Sequence, residues 1–301
     1  MILDLSELTD GFSSKLKVIS YYIAVIEIRN LKKELFIYEK KTKEAPFLFT
    51  DLCYVKKFRV FKLKNKPKSE IIFNPYNHSI AINNLKKSNF IKDNQNSKFN
   101  SISELSYQNY MPKKIIKNKI KKIKLPKTFV SMHIRATDRQ IKLKNFIRKI
   151  QFEEMIFDFQ VNHMIRNIQN FINSKKLVKN VFICSDDNFY KKSALNLLSS
   201  KLSVFQNRSK FNKNKFRQTN GIDFVTELFC LSKSQSIIST VGGAVTQSAY
   251  LISGKKIKVY KWTDLKNFFY LFKFIILSIY ILKKIKNFLK IQFNNLTISF
   301  L

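Results

Sequence analysis

At 301 residues and 45% hydrophobic content, the chain is long enough for one large domain or two, and its composition excludes a disordered or fibrous protein. Fifty-six Lys and Arg against 20 Asp and Glu give a formal charge of +36, a field that gathers anionic partners such as nucleotide sugars, nucleic acid or acidic lipid. The lysines are spread over both halves, without zinc-finger spacing, an RNP-like motif or a basic heptad region, so dedicated nucleic-acid recognition is disfavoured.

Cys53, Cys184 and Cys230 are odd in number, far apart and without a C-x-x-C pair, which argues against a disulfide framework and for a reducing compartment. Cys184 and Cys230 sit in apolar runs, so buried thiols are favoured over a zinc site built from them and a histidine. The opening Met-Ile-Leu-Asp-Leu-Ser-Glu lacks the basic and apolar regions of a signal peptide, and a cytoplasmic setting is expected.

In chain order, Asp10 to Leu16 reads as a polar turn with a glycine, Leu16 to Ile28 as a buried helix, and Glu34 to Tyr38 as a strand. Ala45 to Leu52 reads as a turn and a short packed segment. From Lys64 to Lys127 the pattern weakens, and from Lys113 it becomes a basic linker closed by Pro126. Domains are therefore expected over 1–125 and 126–264, with a basic apolar helical tail over 265–301. The second half alternates: strand Thr128–Ile134, helix Phe152–Ser174, strand Asn180–Cys184, helix Asn188–Ser200 and strand Ser203–Phe205. After a basic loop, helix Ile222–Lys233, strand Ser236–Thr240, a Gly242-Gly243 turn, helix Ala244–Ile252 and strand Lys256–Tyr260 complete it. Such alternation predicts an α/β fold with a parallel sheet covered on both faces. In the tail, Phe268 to Leu282 is nearly all apolar and is followed by lysines. It falls short of the roughly 20 residues that span a bilayer, and two readings stay open: a buried helix or a helix on an anionic membrane surface.

Chemistry concentrates at Phe129-Val-Ser-Met-His-Ile-Arg-Ala-Thr-Asp-Arg139. His133 and Arg135, two apart on a strand, share a face and point toward the sheet's carboxyl edge, where open α/β sheets bind ligands. Only eight arginines occur in this lysine-rich chain, and Arg135 and Arg139 are two of them. An arginine offers the planar fork that grips phosphate or carboxylate. Ser185-Asp186-Asp187 and Thr240 to Gly243 end neighbouring strands and are expected to converge on one cleft. Gly242 and Gly243 precede a helix whose free N–H groups could take an anion. Asp186 and Asp187 have two readings, as Mg²⁺ ligands or as helix caps. His78 and His163 are read as surface or packing residues.

The stretch His133-Ile-Arg-Ala-Thr-Asp-Arg139 resembles the H-x-R-R-T-D-K motif of the α1,6-fucosyltransferases and NodZ-type enzymes. Val181 to Asp187 is similar to that family's strand ending in T-D-D. Phe224 to Ser232, with Ile237 to Tyr250, is similar to its D-x-x-x-L-S and T-x-S-S-x-V-x-x-x-A-Y block, and Gly11 to Leu16 to its opening glycine loop. The resemblance spans roughly residues 10–255. It implies a GT-B architecture: two Rossmann-like domains with parallel sheets facing a central cleft, the nucleotide sugar held mainly by the second, with inversion at the anomeric carbon and no metal or cofactor. It also implies roles. Arg135 would hold the diphosphate and stabilise its departure, His133 and Glu227 would contact guanine, Gly242 and Gly243 would border the diphosphate, and Phe12 would lie over the donor. Arg139, Asp186 and Asp187 join the substrate-binding set; a proton acceptor is offered by chemistry only, by Asp138, Asp223 or Glu153, with Asp138 the catalytic candidate.

The chain departs from the family at Ala136, where a second Arg stands, at Glu227, where an Asp stands, and in having no carboxylate from Arg139 through Phe152. The expectation is a metal-independent fucosyltransferase-like enzyme moving fucose from GDP-fucose to a glycan or lipid-linked glycan in surface polysaccharide synthesis, on the cytoplasmic face of the membrane. A nucleotide- or glycan-binding relative without catalysis, and a basic membrane or nucleic-acid adaptor, are the alternatives.

Overall fold

A computed structural model describes residues 2–6, 8, 11–41, 47–66, 78–135, 150–208, 220–240 and 243–262, with Ser278, Ile281 and Ile285. The apolar tail, apart from those three residues, lies outside the described residues, as do Asp138, Arg139 and Gly242.

The first half opens with β1 (Ile2–Asp4), α1 (Phe12–Ile28) and β2 (Glu34–Tyr38), followed by α2 (Phe49–Leu52), β3 (Cys53–Val55) and β4 (Arg59–Lys62). The sheet β1-β2-β4 is parallel, with Leu3 opposite Ile37 and Leu35 opposite Val60. Helix α1 is buried almost all round, the mark of a core helix rather than a surface one. It begins at Phe12, four residues before the predicted start at Leu16, because Gly11 acts as its extended N-cap. Helices α3 (His78–Lys87) and α4 (Asn96–Ser106) follow, then β5 (Tyr110–Pro112), which pairs antiparallel with β3. The predicted basic linker is largely helix α5 (Lys114–Ile123). Ile116, Ile120 and Ile123 lie on its inner side, while the rest is lysine apart from Ile115 and Asn118.

The second half is β6 (Val130–Ile134), α6 (Ile150–Ser174), β7 (Asn180–Ser185), α7 (Asn188–Leu198), β8 (Ser203–Gln206), α8 (Gly221–Leu231), β9 (Ser236–Ser239), α9 (Ala244–Ile252) and β10 (Lys258–Lys261). Its five strands are all parallel, in the order β10-β9-β6-β7-β8. Strand β6 is buried at every position, as expected for a strand covered on both faces. The chain winds outward from β6 through β7 to β8, then returns to β6's other side through β9 to β10. The order therefore reverses between β6 and β9, and the carboxyl ends of those two strands open a crevice.

Alternate side chains enter two cores. Val181, Ile183 and Ile238 join Val161, Ile165 and Ile168 of α6 on one face. Phe182, Cys184 and Ile237 join α8, α9 and the apolar residues of the first half on the other. That second core is continuous across residues 125 and 126. Phe224 of α8 meets Phe12 and Phe47 at 6.2 and 6.4 Å between ring centroids. Gly221 makes the approach possible, since a Cβ there would lie 2.5 Å from Phe47 Cγ.

Candidate functional site

The site forms where β6 and β9 end. Thr240 N–H donates to the His133 carbonyl at 3.1 Å, and Arg135 N–H donates to Thr240 Oγ1 at 3.2 Å. Gln160 of α6 donates its side-chain amide to the Thr240 carbonyl, stapling the junction from the third side. His133 is 6% exposed, and its Nδ1 lies 3.2 Å from both Ser239 Oγ and Thr246 Oγ1. Burial, aided by the charge of Arg135, lowers its pKa to about 4, so the ring is neutral at ordinary pH. His133 thus ties β6 to β9 and α9 from inside.

Two residues on, Arg135 faces the same helix. Its Nη1 would lie 2.7 Å from a Cβ built on Gly243, so the guanidinium rests directly on that glycine. Gly243 is the N-cap of α9 and contributes no side-chain cap. The first-turn N–H groups and the positive end of the helix therefore lie beside a guanidinium. Two positive ends held together favour an anion between them. Two hollows border this point. One, of about 410 Å³, is lined by Gly243, Thr246, Tyr250 and Lys261 among others. The other is a groove of about 450 Å³ between α1, α4 and α9, lined by Ser13, Ser14, Asn100, Ser103, Gln247 and Ser248 with further residues. Ser13 Oγ is buried and meets no hydrogen-bond partner among the described residues.

A second polar cluster lies behind β7. Glu227 is buried and bonded to Lys191 Nζ at 2.7 Å, and Lys191 also donates to the Asn207 carbonyl at 2.9 Å. Burial raises the Glu227 pKa, against the opposing pull of Lys191. Asp223, one turn earlier, accepts from Asn207 at 2.9 Å and Asn220 at 2.7 Å, and pairs with Lys119 of α5. Asp186 is half-buried and close enough to raise the Glu227 pKa further.

Several expectations need correction. Phe12 is fully buried and packed on Phe47 and Phe49, at 5.8 and 6.0 Å, so it cannot lie over a ligand. The early start of α1 turns that ring inward. Asp187 caps α7, accepting from Phe189 N–H at 2.8 Å and Tyr190 N–H at 3.3 Å. Glu227 is committed to Lys191 inside the protein rather than offered at the surface. Arg135 and Gly243 are brought together as expected. Asp138, Arg139 and Gly242 lie outside the described residues. Sequence reasoning missed Gln160, Thr246 and Lys191; nothing in their local pattern distinguishes them from ordinary helix residues.

Cys53, Cys184 and Cys230 are all buried and unpaired with one another. Burial pushes their thiols up, that of Cys230 to about 12. Among the described residues no three His, Cys, Asp or Glu side chains gather as a metal site.

No family model matches the chain, and no curated protein sequence matches it. Solved structures do. Fucosyltransferase NodZ from Bradyrhizobium is 12% identical over 80% of this chain and 90% of its own, with a TM-score of 0.43. POFUT1 in complex with GDP is 12% identical over 86% of this chain and 97% of its own, with a TM-score of 0.46. In another crystal form, POFUT1 in complex with GDP-fucose aligns over 52% of this chain and 49% of its own, about half that protein's length, at 12% identity and a TM-score of 0.35. At such identities none of them assigns a role to a residue here.

Proposed function

We propose that the protein is a glycosyltransferase acting on a nucleotide-sugar donor, with the diphosphate seated between Arg135 and the amino end of α9. The observation that carries this reading is the contact of Arg135 with Gly243 at the β6–β9 crevice, where the strand order reverses. The reaction breaks the bond between the sugar's anomeric carbon and the diphosphate oxygen, and the electron pair leaves on that oxygen. A guanidinium and helix N–H groups already aimed there meet the charge as it develops, which is usually the largest single contribution to such catalysis. An acceptor hydroxyl attacks the opposite face of the sugar and yields its proton to a base, for which Asp138 is the candidate. Arg139 is the candidate for a further contact to the same diphosphate. Arg135 supplies a protein cation at that point, which supports a metal-independent reaction.

The finer assignments are proposals on the same footing. The donor is GDP-fucose, in keeping with the motif around His133 and Arg135. The groove between α1, α4 and α9 begins at Ala244, next to Gly243, and its hydroxyl and amide lining suits a glycan acceptor. Residues 1–125 then supply α1 and α4 to the acceptor side, against α9, and 126–264 hold the donor. A lipid-linked surface glycan, met on the cytoplasmic face of a membrane, is the proposed acceptor class. Among the described residues no helix is long and apolar enough to cross a membrane.

Calorimetric titration with GDP, UDP, ADP and CMP, together with donor turnover by wild type and Arg135→Ala, tests the reading. GDP should bind best, and the variant should lose about 10²- to 10³-fold in rate. Undiminished turnover by Arg135→Ala would refute it. A second reading, nucleotide binding without catalysis, is favoured by Ala136 in place of a second cation and by the lack of carboxylates from Arg139 through Phe152. GDP affinity with no donor turnover would select it.

A further inference from the structure

Helix α5 carries a surface that glycosyl transfer does not use. No Asp or Glu occurs between Glu104 and Asp138, while seven lysines fall within residues 113–124. The helix spends Ile116 and Lys119 inward, the latter on Asp223 of α8. Lys114, Lys117, Lys121 and Lys122 are exposed on its outer side. Ile115 stands among them, 50% exposed, and Tyr54 of β3 is also exposed, with the Lys117 ammonium 5.7 Å from its ring centroid. A solvated lysine face has no need of a half-exposed isoleucine in its midst.

Next to this face lies a hollow of about 460 Å³ between α5 and α8. Its walls include Met111, Ile120, Phe229 and Ile252, and Lys117, Lys121 and Lys233 also border it. It shares no residue with Arg135 or Gly243. Apolar walls beside several ammonium groups match the two parts of an anionic lipid, an acyl chain and a negatively charged headgroup. A nucleic-acid phosphate backbone would satisfy the lysines but leave the apolar surface without a partner. Basic surfaces of this kind gain attraction from each lysine brought near an anionic leaflet, and long lysine stems lie along apolar surface while their heads reach the charge.

We infer that the outer face of α5, with the hollow between α5 and α8, is a docking surface for an anionic lipid bilayer. It holds whether or not the crevice at Arg135 transfers a sugar.

The test is co-sedimentation of the full chain with phosphatidylcholine vesicles, with and without phosphatidylglycerol. Wild type should bind only the vesicles containing phosphatidylglycerol. Removing one surface lysine should weaken binding about fivefold, so the Lys114→Gln, Lys121→Gln, Lys122→Gln triple variant should weaken it about a hundredfold. These side chains are exposed, so melting temperature and GDP titration should not change, which separates this surface from the donor crevice. Equal binding to phosphatidylcholine alone would overturn the inference. So would undiminished binding by the triple variant, which would place membrane affinity elsewhere on the chain. A duplex DNA fragment that depends on the same three lysines, with vesicle binding unaffected, would assign the face to nucleic acid instead.

Discussion

Gly243→Ala isolates the contact on which the function rests. The glycine's φ of −158° and ψ of 174° are extended values open to any residue, so alanine meets no backbone strain there. The new methyl, however, would lie 2.7 Å from Arg135 Nη1. Comfortable contacts between such atoms fall at about 3.5–4.0 Å, so the guanidinium must retreat by about 1 Å. Arginine is flexible and the retreat costs little stability. Alanine is a poorer N-cap than glycine but reduces the freedom of the unfolded chain, two small opposed effects that keep the change within about 1 kcal/mol. A catalytic group displaced by about 1 Å can cost about 10²-fold in rate. Gly243→Ala is therefore expected to melt near the wild-type temperature while losing about two orders of magnitude in donor turnover. In an Arg135→Ala background the same substitution should be nearly silent, because the group it displaces is gone. The assays are thermal unfolding and nucleotide-sugar turnover across the four-protein cycle. Wild-type turnover in Gly243→Ala, or losses that add in the double variant, would refute the reasoning.

Three further outcomes are expected. His133 titrates at about 4 when folded and about 6.5 when unfolded, so between those values the unfolded chain binds a proton that the folded chain refuses. Stability should fall by about 3 kcal/mol as pH drops through that window; denaturant midpoints at about pH 7 and about pH 4 should differ less in His133→Asn, and an unchanged difference would count against it. Lys191→Met strands the buried Glu227 carboxylate and should cost about 3–5 kcal/mol in urea unfolding, much of it recovered by adding Glu227→Met. Asp187→Ala removes a helix cap and should cost about 1 kcal/mol with GDP affinity unchanged; a large loss of affinity would return Asp187 to the ligand site.

Much of the second half can be read directly from residue order. Strand β7 appears as Asn180-Val-Phe-Ile-Cys and helix α9 as the stretch after Gly243, because a doubly covered strand's short apolar run and a helix's opening turn are written into neighbouring residues. The first half is harder. β1, β3 and β4 have three or four residues each, too few for a period to show, and α5 hides its isoleucines among lysines that resemble a linker. Phe12 illustrates a different limit. The motif around it is visible, but the direction of its ring depends on where α1 begins and on Phe47, Phe49 and Phe224 arriving from elsewhere.

The residue order alone settled that this is an α/β chain, rich in positive charge, with an arginine at the end of a buried strand and a glycine before a helix. Only the tertiary structure decided that they meet. Arg135 and Thr240 are 105 positions apart, and their junction exists because β9 pairs with β6 while the intervening strands go to the other side. The same folding consumed Asp187 as a cap and Glu227 as half of an ion pair. A side chain's chemistry is local, but its partners are chosen by strand order and packing, which bring together residues that share no neighbourhood in the chain.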